Sequence, residues 1–406
     1  MGAHLDDVAA LDAAYHLPTY ARKQVLFVRG DGMRLYDDEG REYLDFLSGI
    51  GVVNLGHAHP AVADAVDTQM RRLVHVSNLY HVEHRAALAE RLSALGDGGW
   101  RSFFCNSGTE AIEGAIKLSR RWGRTRRGDA CHRVVTAERS FHGRTMGALS
   151  ATGQSSKQGA FAPLLPGFDH VPLNDVEALD AAVTAETCAV LLEPVQGEGG
   201  VYPCTAEYLE AARRICDERE VLLVFDEVQC GCFRTGSAFA WQGYGVRPDV
   251  VTLAKALANG LPAGAVMASG DAAAALGPGD HGSTFGGGPV IAAAALATLD
   301  ALVSEDLGTN ALSAGAELRE ALESLAARTG ALSDARGRGL MIAVDLAAGD
   351  ERVALDAQAI ASACLARGIV VNAIGERTLR FLPPLVCTSS ETAILIDTLE
   401  VVLGGA

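Results

Sequence analysis

The segment "DVVTLAKALANG" at residues 249–260 places a lysine, Lys255, at the end of an apolar run. Such a continuous run is typical of a strand buried on both faces of a parallel sheet. Lysine is rare in this chain: of 34 Lys and Arg residues only four are lysines, namely Lys23, Lys117, Lys157 and Lys255. Arginine keeps its proton in proteins, whereas a desolvated lysine can lose it. Lys255 therefore either extends its amine to the surface or provides a neutral amine for chemistry.

Similar apolar runs recur between helical segments from about residue 59 onwards. The predicted strands are 101–106, 132–138, 189–195, 221–228, 250–255 and 263–269, and helix-like segments include 109–123, 206–219 and 290–303. Continuous apolar strands that alternate with helices predict an α/β domain whose central sheet is mostly parallel and covered on both faces. We assign residues 59–305 to this large domain.

The two ends of the chain predict a smaller α+β unit. Residues 26–48 alternate short β-rich pieces with G-D-G and D-E-G turns, as an antiparallel meander does. After about residue 310, β-rich runs alternate with helical ones: strands at 337–346, 368–373 and 378–386, helices at 354–367 and 389–403. We assign residues 306–406 to a small domain and expect residues 1–58 to join it.

Composition and charge disfavour several classes of protein. The formal net charge of −16 gives no general attraction for nucleic acid or anionic membranes. The chain starts without a basic, apolar leader and has no apolar run near the ~18 residues that span a bilayer. The nine cysteines are scattered, with no C-x-x-C pair. This pattern predicts reduced, mostly buried thiols in a cytoplasmic protein and no metal site.

Polar residues cluster at the carboxyl ends of the predicted strands, where open α/β sheets bind ligands. In "CNSGTEAIEGAIKLSR" (105–120), Ser107 and Glu110 have the spacing of a capping box, and Gly108 lets the backbone approach a ligand closely. Such a helix start favours a phosphate. A well-capped helix without any ligand explains the same residues.

Asp226 follows the apolar strand of "LLVFDEVQCG" (222–231). A carboxylate there must be hydrogen-bonded or ion-paired, so Asp226 either caps the next turn or meets a buried cation such as a protonated ring nitrogen. Adjacent strands would bring Asp226 and Lys255 into one crevice. A phosphate cradle, a carboxylate for a pyridinium and a lysine for a Schiff base together indicate a pyridoxal phosphate site.

Two further segments fit such a site. "RSFHGRT" (139–145) contributes Phe141, which can stack on a planar ring, and Arg144, which can bind a carboxylate through two hydrogen bonds. "HGSTFGGG" (281–288) is a second Gly-rich loop for the phosphate. The sequence lacks the motifs G-x-G-x-x-G after a strand, G-K of a P-loop, H-E-x-x-H and G-x-S-x-G. A nicotinamide enzyme, an ATPase, a metalloprotease and a serine hydrolase are therefore disfavoured.

The sequence resembles the class III (ω-amino acid) aminotransferases, which are pyridoxal phosphate enzymes of fold type I, and within them the members that act on acetylornithine. The similarity runs from "LPTY" (17–20) to "LRFLPPL" (379–385) and includes "SFHGRTMGALSATGQ" (140–154), "LEPVQGEGGV" (192–201) and "PDVVTLAKAL" (248–257). The resemblance implies the fold-type-I architecture, with a large domain built on a mostly parallel sheet and a smaller α+β domain.

The resemblance also implies roles for the cofactor site. Lys255 would hold the cofactor as an imine and then carry a proton, and Asp226 would pair with the ring nitrogen. Gln229 would bond to the ring hydroxyl, while Phe141 and Val228 would sandwich the ring. The phosphate would be held by Ser107, Gly108 and Thr109, with Thr284 reaching in from the partner subunit of a homodimer.

For the substrate, the resemblance implies that Arg144 binds a carboxylate and that Ser283 lies beside it. Glu198 would cover Arg380 while the ω-amino substrate is bound and release it to the α-carboxylate of glutamate. The implied reaction passes the terminal amino group of N2-acetylornithine to 2-oxoglutarate, a step of arginine biosynthesis. Two alternatives stay open: another ω-amine (succinylornithine, succinyldiaminopimelate, ornithine or 4-aminobutyrate) or a non-catalytic paralogue.

The sequence departs from the family pattern at Ile112, at Cys232 with Phe233, and at Gly288. None of these positions is among the implied cofactor-binding residues. We expect the second and third departures to lie in or near loops that shape the entrance or the dimer interface, so they bear on which substrate is used.

Overall fold

The computed structural model describes residues 4–347 and 356–404. The helices are α1 (Leu5–Tyr15), α2 (Ser48–Gly51), α3 (Pro60–Arg72), α4 (Glu83–Leu95), α5 (Gly108–Arg127), α6 (Met146–Ala151), α7 (Ser155–Gln158), α8 (Val176–Ala182), α9 (Ala206–Arg219), α10 (Ala240–Tyr244), α11 (Pro289–Ser304), α12 (Leu307–Thr329), α13 (Ala357–Ala366) and α14 (Ser389–Gly404). The strands are β1 (Phe27–Asp31), β2 (Arg34–Asp37), β3 (Glu42–Asp45), β4 (Trp100–Cys105), β5 (Arg133–Ala137), β6 (Phe168–Val171), β7 (Thr187–Leu192), β8 (Val195–Gln196), β9 (Tyr202–Pro203), β10 (Leu222–Asp226), β11 (Val250–Leu253), β12 (Gly264–Ser269), β13 (Leu332–Arg338), β14 (Met341–Leu346), β15 (Ile369–Val370), β16 (Asn372–Ile374) and β17 (Thr378–Phe381).

A seven-stranded sheet of order β4-β12-β11-β10-β7-β5-β6 forms the centre of the molecule. Strand β12 runs antiparallel to both of its neighbours, and the pairs along β11-β10-β7-β5-β6 are parallel. The predicted α/β class with a mostly parallel sheet is confirmed. Strand β6 was not predicted, because "FDHV" alternates apolar with polar residues and lies at the partly exposed edge of the sheet.

The apolar runs of the central strands are continuous because helices cover both faces of the sheet. In β10, Leu222 and Val224 belong to one core cluster, together with the buried face of α5, while Leu223 and Phe225 belong to another, together with the buried face of α9. Successive side chains of a strand point to opposite faces, so a strand between two helical layers has no polar side. This leaves the carboxyl ends of the strands as the polar edge of the sheet.

The two ends of the chain meet in smaller sheets. The meander β1-β2-β3 is antiparallel, as predicted, and β15 from the C-terminal part pairs with β3 in parallel, Ile369 opposite Leu44. A second antiparallel sheet has the order β13-β14-β17-β16. The domain boundaries at residues 58 and 305 stay predictions.

Several element bounds differ from the sequence-based ones. Residues 337–346 were predicted as one strand, but they contain the end of β13, a turn and the whole of β14, which together form a hairpin. The turn passes through Gly339 at φ +55°. A Cβ at position 339 would lie 2.5 Å from the Arg234 carbonyl oxygen, so only glycine fits there. Of the predicted helix 354–367, residues 354 and 355 lie outside the described residues.

The nine cysteines are buried and unpaired, as expected for a reduced interior. Across residues 4–347 and 356–404, the helices are too short or too polar to cross a membrane.

Candidate active site

A cavity of about 400 Å³ lies at the carboxyl ends of the parallel strands, against the first turn of α5. It contains most of the residues that the sequence predicted to act together. Those that line it are Ser107, Gly108, Thr109, Phe141, Arg144, Glu198, Asp226, Val228, Gln229 and Lys255. Strands β10 and β11 are neighbours, and Asp226 stands opposite Thr252, so Lys255 follows three residues later into the same cavity.

Lys255 sits just after β11, where the chain leaves the sheet in a short 3-10 turn with φ +38° at Lys255. Non-glycine residues in this left-handed region are strained, and such strain concentrates at functional sites where the surroundings hold the backbone. Burial lowers the pKa of Lys255, against the opposing attraction of Glu198 and Asp226. A lysine with a lowered pKa supplies a neutral amine more readily, which an imine-forming or proton-carrying group needs.

Asp226 is buried and held from behind by a histidine. Its Oδ2 lies 2.8 Å from His142 Nδ1, and its Oδ1 accepts hydrogen bonds from the Val228 N–H at 3.0 Å and the Thr252 hydroxyl at 3.4 Å. The His142 backbone N–H donates to Thr152 Oγ1 at 2.9 Å, which fixes the ring-bearing segment. These hydrogen bonds fix the orientation of the Asp226 carboxylate, which lines the cavity. A buried carboxylate held in this way can pair with a cation in the cavity.

Glu193 joins two of the loops that border the cavity. Its carboxylate accepts hydrogen bonds from the Phe141 N–H at 2.8 Å and the Gly197 N–H at 3.0 Å. Burial raises the pKa of Glu193 to about 7. Sequence reasoning missed both Glu193 and His142. The available signals were a carboxylate at the end of a fully apolar strand and a histidine inside the Phe141 motif.

The first turn of α5 forms part of the cavity wall. Ser107 is the N-cap, and its hydroxyl accepts a hydrogen bond from the Glu110 N–H at 3.3 Å. The Glu110 carboxylate accepts from the Asn106 N–H and not from that of Ser107, so the predicted capping box is displaced by one residue. A Cβ on Gly108 would lie 2.8 Å from Val228 Cγ1, which explains why glycine occupies the position.

The Thr109 hydroxyl ties this helix start to the loop that carries Arg144. Thr109 Oγ1 accepts hydrogen bonds from the backbone N–H groups of Arg144 at 3.3 Å and Thr145 at 3.1 Å, and lies 2.7 Å from Thr145 Oγ1. A Cβ on Gly143 would lie 2.3 Å from Thr109 Oγ1, so the loop passes this close only because residue 143 is glycine. Arg144 itself is exposed at the cavity.

Glu198, which lines the cavity and is half-buried, forms an ion pair with the buried Arg380. Glu198 Oε1 lies 2.6 Å from Arg380 Nη1, and Gln229 bridges the pair by donating to Glu198 at 3.2 Å and accepting from Arg380 at 3.2 Å. Asn372 Oδ1 accepts two more hydrogen bonds from Arg380, at 2.7 and 3.1 Å. Burial raises the pKa of Glu198, but the charge and hydrogen bond of Arg380 outweigh it and the net shift is downward. Arg380 is thus covered by Glu198 and reaches the cavity only through it.

Three predicted site residues do not line this cavity: Arg380, which Glu198 covers, Ser283 and Thr284. Ser283 is close, because its hydroxyl accepts hydrogen bonds from Asn106 Nδ2 at 3.3 Å and the Gly286 N–H at 3.0 Å. Thr284 is exposed and lies outside the residues that line its own chain's cavity. Its role as a residue of the partner's site stays a prediction.

The departures from the family pattern also lie away from the cavity lining. Ile112 is fully buried beneath the sheet. Phe233 follows β10 and packs towards α12, where a Cβ on Gly308 would lie 3.0 Å from its ring. Gly288 is the residue before α11. None of these residues can contact a substrate bound in the cavity of its own chain. Any effect that they have on substrate choice must therefore act through other residues or through the partner subunit.

Comparison with known proteins gives one consistent family. The family model described as "Aminotransferase class-III" matches residues 18–403. The chain is 49% identical to the acetylornithine aminotransferase of Gloeobacter violaceus, over 94% of each chain, and 45% identical to that of Caldanaerobacter subterraneus subsp. tengcongensis, over 96% of this chain and 97% of the relative. The ornithine aminotransferase of Toxoplasma gondii, solved with partial occupancy of pyridoxal phosphate in its active site, superposes with a TM-score of 0.92 at 33% identity, over 98% of this chain and 94% of that one.

The residues in the cavity fit pyridoxal phosphate. The start of α5 offers free N–H groups and the hydroxyls of Ser107 and Thr109 for a phosphate, and Gly108 leaves the space that a Cβ would fill. Asp226 offers a buried carboxylate for a ring nitrogen, and Lys255 offers an amine of lowered pKa for an aldehyde. Phe141 and Val228 supply apolar surface for the two faces of a ring.

Proposed function

The chain belongs to the class-III aminotransferases, and from that premise we propose that it transfers the terminal amino group of N2-acetylornithine to 2-oxoglutarate, releasing N-acetylglutamate semialdehyde and glutamate. The observation that carries the proposal is the Glu198–Arg380 pair. While Glu198 neutralises Arg380, the arginine that remains available to a substrate carboxylate in the cavity is Arg144. This arrangement favours a donor whose carboxylate is remote from the reacting amine. The two relatives at 45% and 49% identity, both acetylornithine aminotransferases, support the choice of donor.

Pyridoxal phosphate, when bound, supplies the electron sink that makes the hydrogen on the amine-bearing carbon acidic. The phosphate would be held by Ser107, Gly108 and Thr109, and Gln229 lies within the same cavity to bond the ring hydroxyl. Asp226, oriented by His142, presents its carboxylate to the ring nitrogen and stabilises positive charge there.

Lys255 carries the proton. Its Nζ is more easily kept neutral because burial lowers the pKa of Lys255. This nitrogen accepts a proton from the amine-bearing carbon of the donor in the first half-reaction and delivers one to the carbonyl carbon of 2-oxoglutarate in the second. The rigid turn after β11 keeps that nitrogen within the cavity, so transfer takes place without rearrangement of the backbone.

Arg380 serves the second substrate. The α-carboxylate of 2-oxoglutarate displaces Glu198 and takes its place on the Arg380 guanidinium, which Asn372 holds in position through two hydrogen bonds. The distal carboxylate then occupies the same Arg144 side that received the carboxylate of the first substrate. One cavity thus accepts two substrates of different polarity by opening and closing a single ion pair.

We propose a homodimer in which Thr284 of the partner subunit completes the phosphate site. Phe285 of this loop is 66% exposed, and the segment that Asn78 bonds to the loop carries Leu79 and Tyr80, which are 85% and 66% exposed. Large exposed apolar side chains favour burial against another protein surface. We also propose that the enzyme acts in the cytoplasm, because unpaired buried thiols persist in a reducing compartment.

The test is a half-reaction. Purified enzyme with its cofactor would receive N-acetylornithine, N-succinylornithine, ornithine or 4-aminobutyrate, each without a keto acid, and the cofactor absorption band would be followed. We expect rapid conversion to the aminated cofactor with N-acetylornithine at low concentration and slow conversion with the unacylated amines. Faster conversion by ornithine or 4-aminobutyrate would overturn the assignment of the donor. A colourless protein that does not take up the cofactor would overturn the aminotransferase reaction itself.

A further inference from the structure

Lys157 is a cation beside the cavity that the reaction described above does not use. It lies on α7 and is half-buried, with its Nζ 5.9 Å from the centroid of the Phe141 ring. The Arg144 guanidinium carbon lies 5.6 Å from the centroid of the same ring. Two cations therefore flank the aromatic residue that would stack on the cofactor. Burial and then the charge of Arg144 lower the pKa of Lys157.

The Lys157 amine is held in a defined place. It donates a hydrogen bond to Gln154 Oε1, and Gln154 Nε2 donates in turn to the carbonyl oxygens of Arg139 and Ser140, each at 3.1 Å. Residues 139 and 140 directly precede Phe141. The amine is thus tied to the loop that forms one wall of the cavity, and its position is set before any ligand arrives.

In the part of the chain that the structure describes, neither Lys157 nor Arg144 forms a salt bridge with a carboxylate. The acidic charge that acts on Lys157 is that of Glu198, which is already bonded to Arg380. Lys157 is half-buried and Arg144 is exposed, and the repulsion between these two like charges costs free energy that a bound anion would relieve.

We propose that Lys157 is, together with Arg144, the second cation of the site that receives the substrate carboxylate remote from the reacting carbon. The inference rests on the proposed function, in which N-acetylornithine and 2-oxoglutarate both place a carboxylate on the Arg144 side. Arg144 offers a planar pair of donors for two carboxylate oxygens, and Lys157 adds a point charge from a separate direction. Lys157 is a specificity residue in this scheme and takes no part in proton transfer.

The competing explanation is structural: Lys157 packs on Phe141 and only stiffens the ring against the cofactor. The two explanations differ in what a substitution changes. A packing role affects every substrate equally, through the cofactor, whereas a carboxylate-binding role affects only ligands that carry the remote carboxylate.

The experiment uses the holoenzyme and a matched pair of donors. N-acetylputrescine is N-acetylornithine without its carboxylate. For Lys157→Gln we expect kcat/KM for N-acetylornithine to fall about tenfold, the typical effect of one charge-assisted hydrogen bond, while that for N-acetylputrescine changes less than about twofold. Lys157→Arg should recover most of the loss. Lys23→Gln, which removes the same charge from a lysine bonded to Ser362 on α13, should leave both donors unchanged.

A binding measurement separates this inference from the proposed function. The dissociation constant of glutarate, an unreactive dicarboxylate, would be measured by calorimetry on the same variants and should rise about tenfold in Lys157→Gln. Equal losses for both donors, or unchanged glutarate binding, would overturn the role of Lys157. If the wild-type enzyme does not react with N-acetylornithine, the assignment of the donor is wrong. The effect of Lys157→Gln on glutarate binding would still test the role of Lys157. If Lys157→Gln does not fold, Gln154→Ala frees the Lys157 amine and also removes two hydrogen bonds to the Phe141 loop. It should still lower kcat/KM for N-acetylornithine more than for N-acetylputrescine, and equal losses would overturn the role of Lys157.

Discussion

Replacing Glu198 with glutamine should redirect the enzyme from ω-amino donors towards α-amino acids. Glu198 Oε1 lies 2.6 Å from Arg380 Nη1, and the Arg380 side chain is 1% exposed against 26% for Glu198. Glutamine has nearly the same volume and keeps an oxygen that can accept the hydrogen bond. The substitution therefore removes the charge that covers Arg380 and changes little else.

The magnitude follows from the geometry of the pair. At an effective dielectric constant of about 20, two unit charges about 4 Å apart attract each other by about 4 kcal/mol. Removal of water from both groups, the retained hydrogen bond and the partial exposure of Glu198 together offset roughly half of this attraction. We expect a net effect of about 2 kcal/mol, which is about 30-fold in the competition between Glu198 and a substrate carboxylate for Arg380.

The assay compares two donors in single half-reactions. The ratio of kcat/KM for L-glutamate to that for N-acetylornithine should rise about 30-fold in Glu198→Gln. Glu218→Gln is the matched control, because it removes one carboxylate from an exposed ion pair with Arg214 on α9. A ratio within twofold of the wild-type value would refute the reasoning that Glu198 governs access to Arg380.

The pH dependence of stability gives an independent check on the same pair. The pKa of Glu198 is held below its usual value of 4.5, because the attraction of Arg380 outweighs the burial of the carboxylate. A carboxylate with a depressed pKa adds stability above its unfolded pKa and loses it as the pH falls through the folded pKa. The difference in free energy of unfolding between wild type and Glu198→Gln should therefore be constant near neutral pH and shrink below about pH 4.5.

Three further predictions concern the remaining groups. Lys255→Arg keeps the positive charge but has no usable neutral amine, so turnover measured by cofactor absorbance should fall at least about 1,000-fold, and substantial residual turnover would contradict the assigned role. Gly108→Ala brings a Cβ to 2.8 Å from Val228 Cγ1 and should weaken cofactor binding about tenfold. Gly159→Ala, whose Cβ meets no atom within 4 Å, should leave cofactor binding unchanged, and equal losses in the two variants would count against the steric explanation. Burial raises the pKa of Glu227 to about 8 and that of Glu193 to about 7, so the folded state holds protons that the unfolded state releases, and the free energy of unfolding should decline as the pH rises from about 5 to 8; a flat profile in denaturant titrations would contradict these shifts.

Much of the fold and the site could be predicted because local patterns carry it. The runs that form β10 and β11 are almost entirely apolar, and this pattern predicted a mostly parallel sheet covered on both faces. Once the sheet is parallel, residues after neighbouring strands must meet at one edge, so Asp226 and Lys255 were expected in one cavity. The start of α5 could also be predicted from the sequence, because Ser107 and Gly108 follow a strand and begin a helix.

Other parts of the site could not be deduced from local pattern, since they depend on where distant loops come to rest. His142 reaches Asp226 across 84 residues and Glu198 reaches Arg380 across 182, and no periodicity links such positions. Family resemblance implied the second pair, whereas no pattern in the sequence joined His142 to Asp226. By itself, the sequence determined most of the strands and helices of the central sheet and the chemical groups at the ends of its strands. The tertiary structure alone decided which charges meet, because hydrogen bonds and ion pairs form over a few ångströms, and only the packed chain brings those groups that close.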